Sequence, residues 1–421
     1  MPLDQGSPMS RERLISRYRE VRCRSEQICA PLAVDDYQVQ SILEVSPPKW
    51  HLAHVSWFFE TFLLRPFEPR YSSFHPDYDY VFNSYYETVG AYHPRAQRGV
   101  LSRPTVEQIY AYRRHVDEFM EHLIECIDET HMQQFVFRTL LGLNHEQQHQ
   151  ELLLMDIKHN FALNPLRPAY QQKKPLETRG DQPARLDWIE HRGGIYEVGH
   201  DAESFAYDNE TPRHRVLLED YLLAPRLVTN GEFLEFIKAG GYRQARYWLA
   251  DGWNTIRQQR WHAPLYWERL DGGWWQMTLS GMATLDQQEP VCHLSYYEAD
   301  AFARWRGKRL PTEAELEIGV RDQPLRGNFL ESGRLHPSPA GDGQWFGDLW
   351  EWTQTPYTPY PGFQPFTDSL GEYNGKFMCN QLVLRGGSCV TPHSHMRPTY
   401  RNFFYPHDRW QFSGIRLAED R

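Results

Sequence analysis

Two histidines four residues apart, in the run His145-Glu-Gln-Gln-His149, carry the clearest chemistry in this 421-residue chain. On a helix, residues i and i+4 lie one turn apart on the same face, so both imidazoles can reach a single ion. Glu151 falls roughly 200° around the helix from His149, which gives it a supporting or structural role rather than a place on that ion. His159 shares the face of His145 but sits about 20 Å further along the axis, too far to join it. A third ligand must come from another helix. The segment Ser46-Pro-Pro-Lys-Trp-His51-Leu-Ala-His54 offers two candidates, and the pattern alone does not choose between His51 and His54. Three histidines would leave positions open for substrate and oxygen, which marks a catalytic site rather than a structural clamp. Imidazole does not name the ion, because it suits zinc, iron, copper and nickel alike.

The elements that must position these residues read as helices over the first part of the chain. Ser10 is placed to cap a helix through about Cys29, with Leu14, Ile15, Tyr18 and Val21 giving the helical period. Pro47-Pro48 introduces a second helix, Trp50 to Leu64. Thr105 precedes a third, Val106 to Asp128, and a long fourth is expected from about His131 to Phe161. Four helices with one apolar stripe each indicate a bundle, where metal sites are built from side chains on facing helices. Residues 166–187 lose periodicity and read as a linker between a helical domain, 1–165, and a second domain, 188–421. In the second domain short β-prone runs (Gly194–Val198, His214–Leu218, Leu382–Arg385) alternate with Gly, Pro, Asn and Asp. Two helical stretches stand out there, Thr229–Ala239 and Tyr296–Arg306. The expected class is therefore α+β with two domains, a four-helix bundle followed by a loop-rich α+β domain.

Composition excludes several functions. The net charge is −10 with no long basic run, which argues against a nucleic-acid partner. No stretch of about 18 apolar residues occurs, and the first 24 residues lack an apolar core, so neither a membrane span nor a secretory signal is expected. The six cysteines show no C-x-x-C spacing, which points to a reducing cytoplasm rather than a disulfide framework. Aromatics make up 14% of the chain, enough to line a pocket for a flat or cationic ligand as well as to fill cores.

The segments SPPKWHLAHVSWFFETFLL, FNSYYETVG, RGVLSRP and HEQQHQELLLMDIKH resemble the DinB-like helical domain of ergothioneine sulfoxide synthases. GGIYEVGHD, FAYDNETPRHRV, ADAFARWRGKRLPTEAE, LWEWT and LRGGSCVTPHSHMRPTYRNFFYPHDRWQFSGIRL are similar to their formylglycine-generating-enzyme-like domain, a C-type-lectin-like α+β fold. The likeness runs from about residue 12 to the end and keeps the domain order. It implies that His54, His145 and His149 hold Fe(II), with His51 left as a bystander. It further implies a reaction that joins a thiol to C2 of hercynine (trimethylhistidine), consumes O2 and leaves a sulfoxide. An imidazole substrate, a thiolate and O2 can all occupy open positions on one ion, which makes their encounter near-intramolecular.

The same resemblance supplies some site residues, and side-chain chemistry supplies others. Gln148 matches the residue that hydrogen-bonds the substrate imidazole, and Asn402 the one that contacts the substrate carboxylate. Phe403 and Phe404, near Trp410, offer an aromatic surround for a trimethylammonium group. Tyr85 and Tyr86 match an active-site tyrosine pair of the shorter synthases, although one branch of the family carries its tyrosine in the second domain. Arg98, Arg103, Arg401 and Arg409 are candidates for the donor's carboxylate. Leu316 and the Gly347-Asp348-Leu349-Trp350 run depart from the family pattern at positions expected to be scaffolding. Cys389 follows the RGGS element, and its nearest partner in sequence is Cys379. The close cysteine pair of true formylglycine-generating enzymes is missing, which argues against sulfatase modification. Cysteine is the expected donor. Rival readings are a selenosugar donor, a zinc-dependent DinB-like transferase or hydrolase, and a non-enzymatic binding module.

Overall fold

The bundle helices begin where side chains can take up unpaired backbone N–H groups. Ser10 accepts from Arg13 N and opens the first helix, Arg11–Cys29. Pro48 stands at the first position of the second, Pro48–Phe59, where its missing N–H has no intrahelical partner to lose. Thr105 and Gln108 form a reciprocal capping box at the third, Val106–Cys126. The fourth, Met132–Leu163, is the longest. The computed structural model describes residues 9–172, 187–341 and 343–421. Most of the segment read as a linker, residues 173–186, lies outside the described residues.

The chain divides into two compact units. One comprises the described residues up to Leu163 together with Ala202–Phe205 and Phe366–Tyr373; the other comprises the remaining described residues. In the first unit the second helix packs on the third and the fourth, and the first helix packs on the fourth. Its core is built from Leu14, Tyr18, Trp57, Phe58, Tyr112, Met120, Leu141 and Leu154, all buried. The second helix departs from a simple α-helix beyond Phe59. It continues as a π-helical segment, Glu60–Leu64, and a last turn, Arg65–Phe67. The buried Glu60 carboxylate at the start of that segment accepts from the hydroxyls of Tyr71 and Tyr112.

In the second unit a four-stranded sheet runs in the order Asn402–Phe404, Leu382–Arg385, Trp350–Pro356, Ser413–Gly414, with only the last pair parallel. Two three-stranded sheets and two short ribbons accompany it. This is the α+β class expected. Helices Asn230–Lys238 and Tyr296–Trp305 fall where the sequence indicates them. Two others, Ala250–Gln258 and Glu313–Gly319, are additional to that reading. The second of these opens on a Thr312–Glu315 capping box. The two departures from the family pattern are both accommodated. Leu316 is buried, and the buried Asp348 carboxylate accepts from Asn328, Gln344 and the Ser338 backbone. Among the described residues no helix is long and apolar enough to cross a membrane.

Candidate metal centre

His54 projects from the second bundle helix and His145 and His149 from the fourth, and each offers one ring nitrogen within 4.8 Å of the other two. His54 Nε2 and His145 Nε2 lie 3.2 Å apart. His54 Nδ1 faces the carbonyl oxygen of Phe82 at 2.6 Å. A carbonyl only accepts, so Nδ1 must carry the proton and Nε2 a lone pair. Burial, the leading cause, pushes the His145 pKa down to about 3. It also holds His54 and His149 well below the ordinary histidine range, helped by the neighbouring imidazoles. Three neutral imidazoles thus turn toward one point. A single shared proton can link only two of them, whereas a cation satisfies all three. The donor set fits a divalent transition metal with positions left open.

Close approach of the two helices makes this convergence possible. Gly142, one turn before His145, lies against the rings of Phe58 and Phe59, where a Cβ would come within 2.7 Å of Phe59 Cε1. Beside His145, the buried Glu146 carboxylate accepts from Arg22, Arg113 and Ser25, which ties the first and third helices to the fourth. Trp50 stacks on His54 with ring centroids 4.6 Å apart.

Arg98 lies over the Trp50 ring, 3.3 Å from its centroid. Its guanidinium is buried and donates to the hydroxyls of Ser46 and Ser84. No carboxylate pairs with it among the described residues. Burial, reinforced by Arg95, drives its pKa well below the usual arginine value. Arg103, by contrast, is exposed and bonds the carbonyl of Ser102.

Tyr85, Tyr86 and Tyr373 all lie in this unit. Tyr86 is fully buried, its ring 5.7 Å from Trp57 and 5.1 Å from Phe62, with Tyr85 stacked on it at 4.7 Å. Tyr373 belongs to none of the segments that carry the family resemblance. Its hydroxyl donates to Gln148 Oε1 at 2.5 Å, and its ring stands edge-on to His145 at 5.7 Å. Glu372 beside it accepts from the backbone N–H groups of Glu87 and Thr88 and from the Thr88 hydroxyl. No local spacing announces this tyrosine; the resemblance to a branch with its tyrosine in the second domain is the one signal that could have found it.

The remaining candidates lie in the second unit. Arg401 is buried and bonded to both carboxylate oxygens of Glu313, stacked over Tyr360. Arg409 pairs with Glu298 over the ring of Trp261. Asn402 Oδ1 accepts from the Phe403 backbone N–H. Phe403 stacks on Tyr357 at 4.1 Å, and Phe404 meets Trp410 edge-on. Both arginines are therefore already neutralised by glutamates, unlike Arg98.

Comparison with known proteins assigns each part of the chain. Residues 17–160 match the DinB superfamily, and residues 177–338 and 328–421 match the sulfatase-modifying factor enzyme 1-like domain. The whole chain is similar to the hercynine oxygenase of Mycolicibacterium smegmatis, 31% identical over 408 residues that cover 89% of this chain and 91% of that protein. It is equally similar to the hercynine oxygenase of Mycobacterium tuberculosis, 31% identical over 405 residues with the same coverage of 89% and 91%. The formylglycine-generating enzyme of Streptomyces coelicolor is 29% identical over 303 residues, covering 59% of this chain and 91% of that enzyme.

Proposed function

This chain belongs to the hercynine oxygenase family of ergothioneine biosynthesis, and on that premise we propose that it is a non-haem Fe(II) enzyme that joins C2 of hercynine to a thiol, with cysteine the preferred donor. The balance of the reaction is simple. The C2–H and S–H bonds break, a C2–S bond forms, and one O2 gives its oxygens to the sulfoxide and to water. O2 takes up four electrons, two from C–S coupling and two from oxidation of the sulfur.

The observation that carries this reading is the convergence of three neutral imidazoles, His54, His145 and His149, next to the Tyr373–Gln148 hydrogen bond. Those histidines would hold the ion, and Fe(II) bound there supplies oxygen activation and open positions for imidazole and thiolate. The residues around it have separable tasks. Gln148 receives the Tyr373 hydroxyl on its Oε1, and its carboxamide NH2 is the group that can donate to an imidazole nitrogen of hercynine. Tyr373 keeps a transferable proton at its hydroxyl within reach of the same substrate. This favours it over Tyr85 and Tyr86 as the catalytic tyrosine. Arg98, a buried guanidinium bonded to serine hydroxyls, suits the carboxylate of the thiol donor. Asn402 remains the candidate for the hercynine carboxylate, with Phe403 and Phe404 for its trimethylammonium group. The six free cysteines support a cytoplasmic setting.

The test is anaerobic reconstitution with Fe(II), then O2 with hercynine and cysteine, with products read by mass spectrometry. A hercynylcysteine sulfoxide that requires iron, O2 and both substrates is expected. Coupling to γ-glutamylcysteine or a selenosugar, but not to cysteine, would overturn the donor assignment alone. Coupling to none of them, with zinc retained in place of iron, would overturn the reaction.

A further inference from the structure

His51 lies one helical turn before His54, and its ring is not idle. Its Nδ1 is 2.7 Å from His149 Nδ1, and its Nε2 is 3.0 Å from Asp156 Oδ2. Asp156 Oδ2 also accepts from the Ser46 backbone N–H at 2.8 Å, which fixes the carboxylate at the start of the second helix. His51 and Asp156 are both buried, at 3% and 2% exposure. The chain carboxylate–imidazole–imidazole is thus anchored at one end to backbone and ends at a candidate ligand.

For a neutral His51 beside the Asp156 carboxylate, proton placement along this chain has one consistent solution. Asp156 is an acceptor, so His51 Nε2 must carry the hydrogen that lies between them. A neutral His51 then presents a lone pair at Nδ1, and His149 Nδ1 must donate to it. That places the His149 proton on Nδ1 and leaves Nε2 as the lone pair. The reverse arrangement would set the His51 Nε2 lone pair against a carboxylate oxygen. It would also put the His149 proton on Nε2, the nitrogen an ion needs. We infer that His51 and Asp156 are positioning residues of the metal centre, which select the His149 tautomer that binds the ion and hold its ring in place. Metal-ligating histidines commonly donate their second N–H to a carboxylate or carbonyl, and loss of that partner weakens binding about 10–100-fold. Here an intervening imidazole lengthens the connection by one residue. His54 shows the shorter form of the same device through the Phe82 carbonyl. The inference rests on the reading of His149 as a ligand.

The test measures Fe(II) or Co(II) dissociation constants by chelator competition in full-length wild type, His51→Leu, His51→Gln and Asp156→Leu. Melting of the metal-free proteins is recorded alongside. His51→Leu and Asp156→Leu are expected to bind metal about 10–100-fold more weakly. His51→Gln is expected to recover most of the loss, because its carboxamide can accept from His149 and donate to Asp156. Histidine side-chain 15N spectra of the metal-free wild type give an independent reading that needs no variant to fold. His149 protonated at Nδ1 is expected, and protonation at Nε2 would overturn the inference. Wild-type affinity in His51→Leu, with melting unchanged, would overturn it too. If the wild type itself bound no metal, the reading of the centre would fail rather than this relay.

Discussion

At His54, His145 and His149 burial favours neutral rings, and at His54 the Phe82 carbonyl holds the proton on Nδ1 and leaves Nε2 a lone pair. His145→Ala or His149→Ala should therefore abolish stoichiometric iron retention; wild-type iron content in either variant would refute that ligand. The tyrosines call for a product measurement instead. Tyr373→Phe keeps a ring against His145 but removes the hydroxyl that meets Gln148. It should shift product from sulfoxide toward oxidised thiol, whereas Tyr85→Phe and Tyr86→Phe should leave the ratio unchanged. A shift in either of the latter, with none in Tyr373→Phe, would return the role to the adjacent pair. The contrast also marks what sequence can reveal at this scale. His145 and His149 are legible because one helical turn relates them. The preference for His54 over His51 needs a resemblance, since both stand on one helix. Tyr373 is separated from Gln148 by 225 residues, and no local pattern spans that interval.

Gly142 shows how an element sets the distance between ligands. Alanine usually stabilises a helix interior over glycine by about 1 kcal/mol, so propensity alone predicts that Gly142→Ala would help. The position is buried, however, and the new Cβ would lie 2.7 Å from Phe59 Cε1, on a ring that is itself fully buried. Overpacking of a filled core costs about 1–3 kcal/mol, which outweighs the gain. The variant should melt lower than wild type and bind Fe(II) more weakly, because the fourth helix carries His145 away from His54 as it moves. A higher melting temperature with unchanged affinity would show that Phe59 yields. Helix starts were legible for a related reason: Ser10, Pro48 and Thr105 announce them in local chemistry. The π-helical segment at Glu60 was not; the tyrosines that hold its carboxylate stand 11 and 52 residues further along the chain. The missed helix Glu313–Gly319 carries a readable Thr312–Glu315 box, but its short span gives little apolar periodicity.

Across the whole molecule, the order of domains could be read from texture, but the assignment of Phe366–Tyr373 to the helical unit could not, because that segment follows most of the α+β sequence. Buried arginine–glutamate pairs recur in both units, and their response to acid depends on how many donors each carboxylate receives. Glu210 accepts from Arg397, the Thr399 hydroxyl and the Tyr207 backbone N–H. Burial raises its pKa, but Arg397 and these hydrogen bonds outweigh it, and the net shift is downward. Glu351 is bonded to Arg416 with Asp348 nearby, and there burial prevails and the shift is upward. The two therefore contribute with opposite signs. A carboxylate with a lowered folded pKa binds fewer protons folded than unfolded, so Glu210 stabilises fully above its unfolded value near 4.5 and loses that contribution as pH falls through its folded value. Glu210→Gln leaves Arg397 buried without its charge partner, a loss of about 3 kcal/mol or more near neutral pH. The gap in unfolding free energy between wild type and Glu210→Gln should thus be widest at pH 7 and narrow once the pH drops below 4.5. Denaturant titrations at stepped pH read it directly. A gap that stays constant down to the acid limit would mean that Glu210 keeps its proton count on folding, and that packing around Arg397, not charge, accounts for the pair.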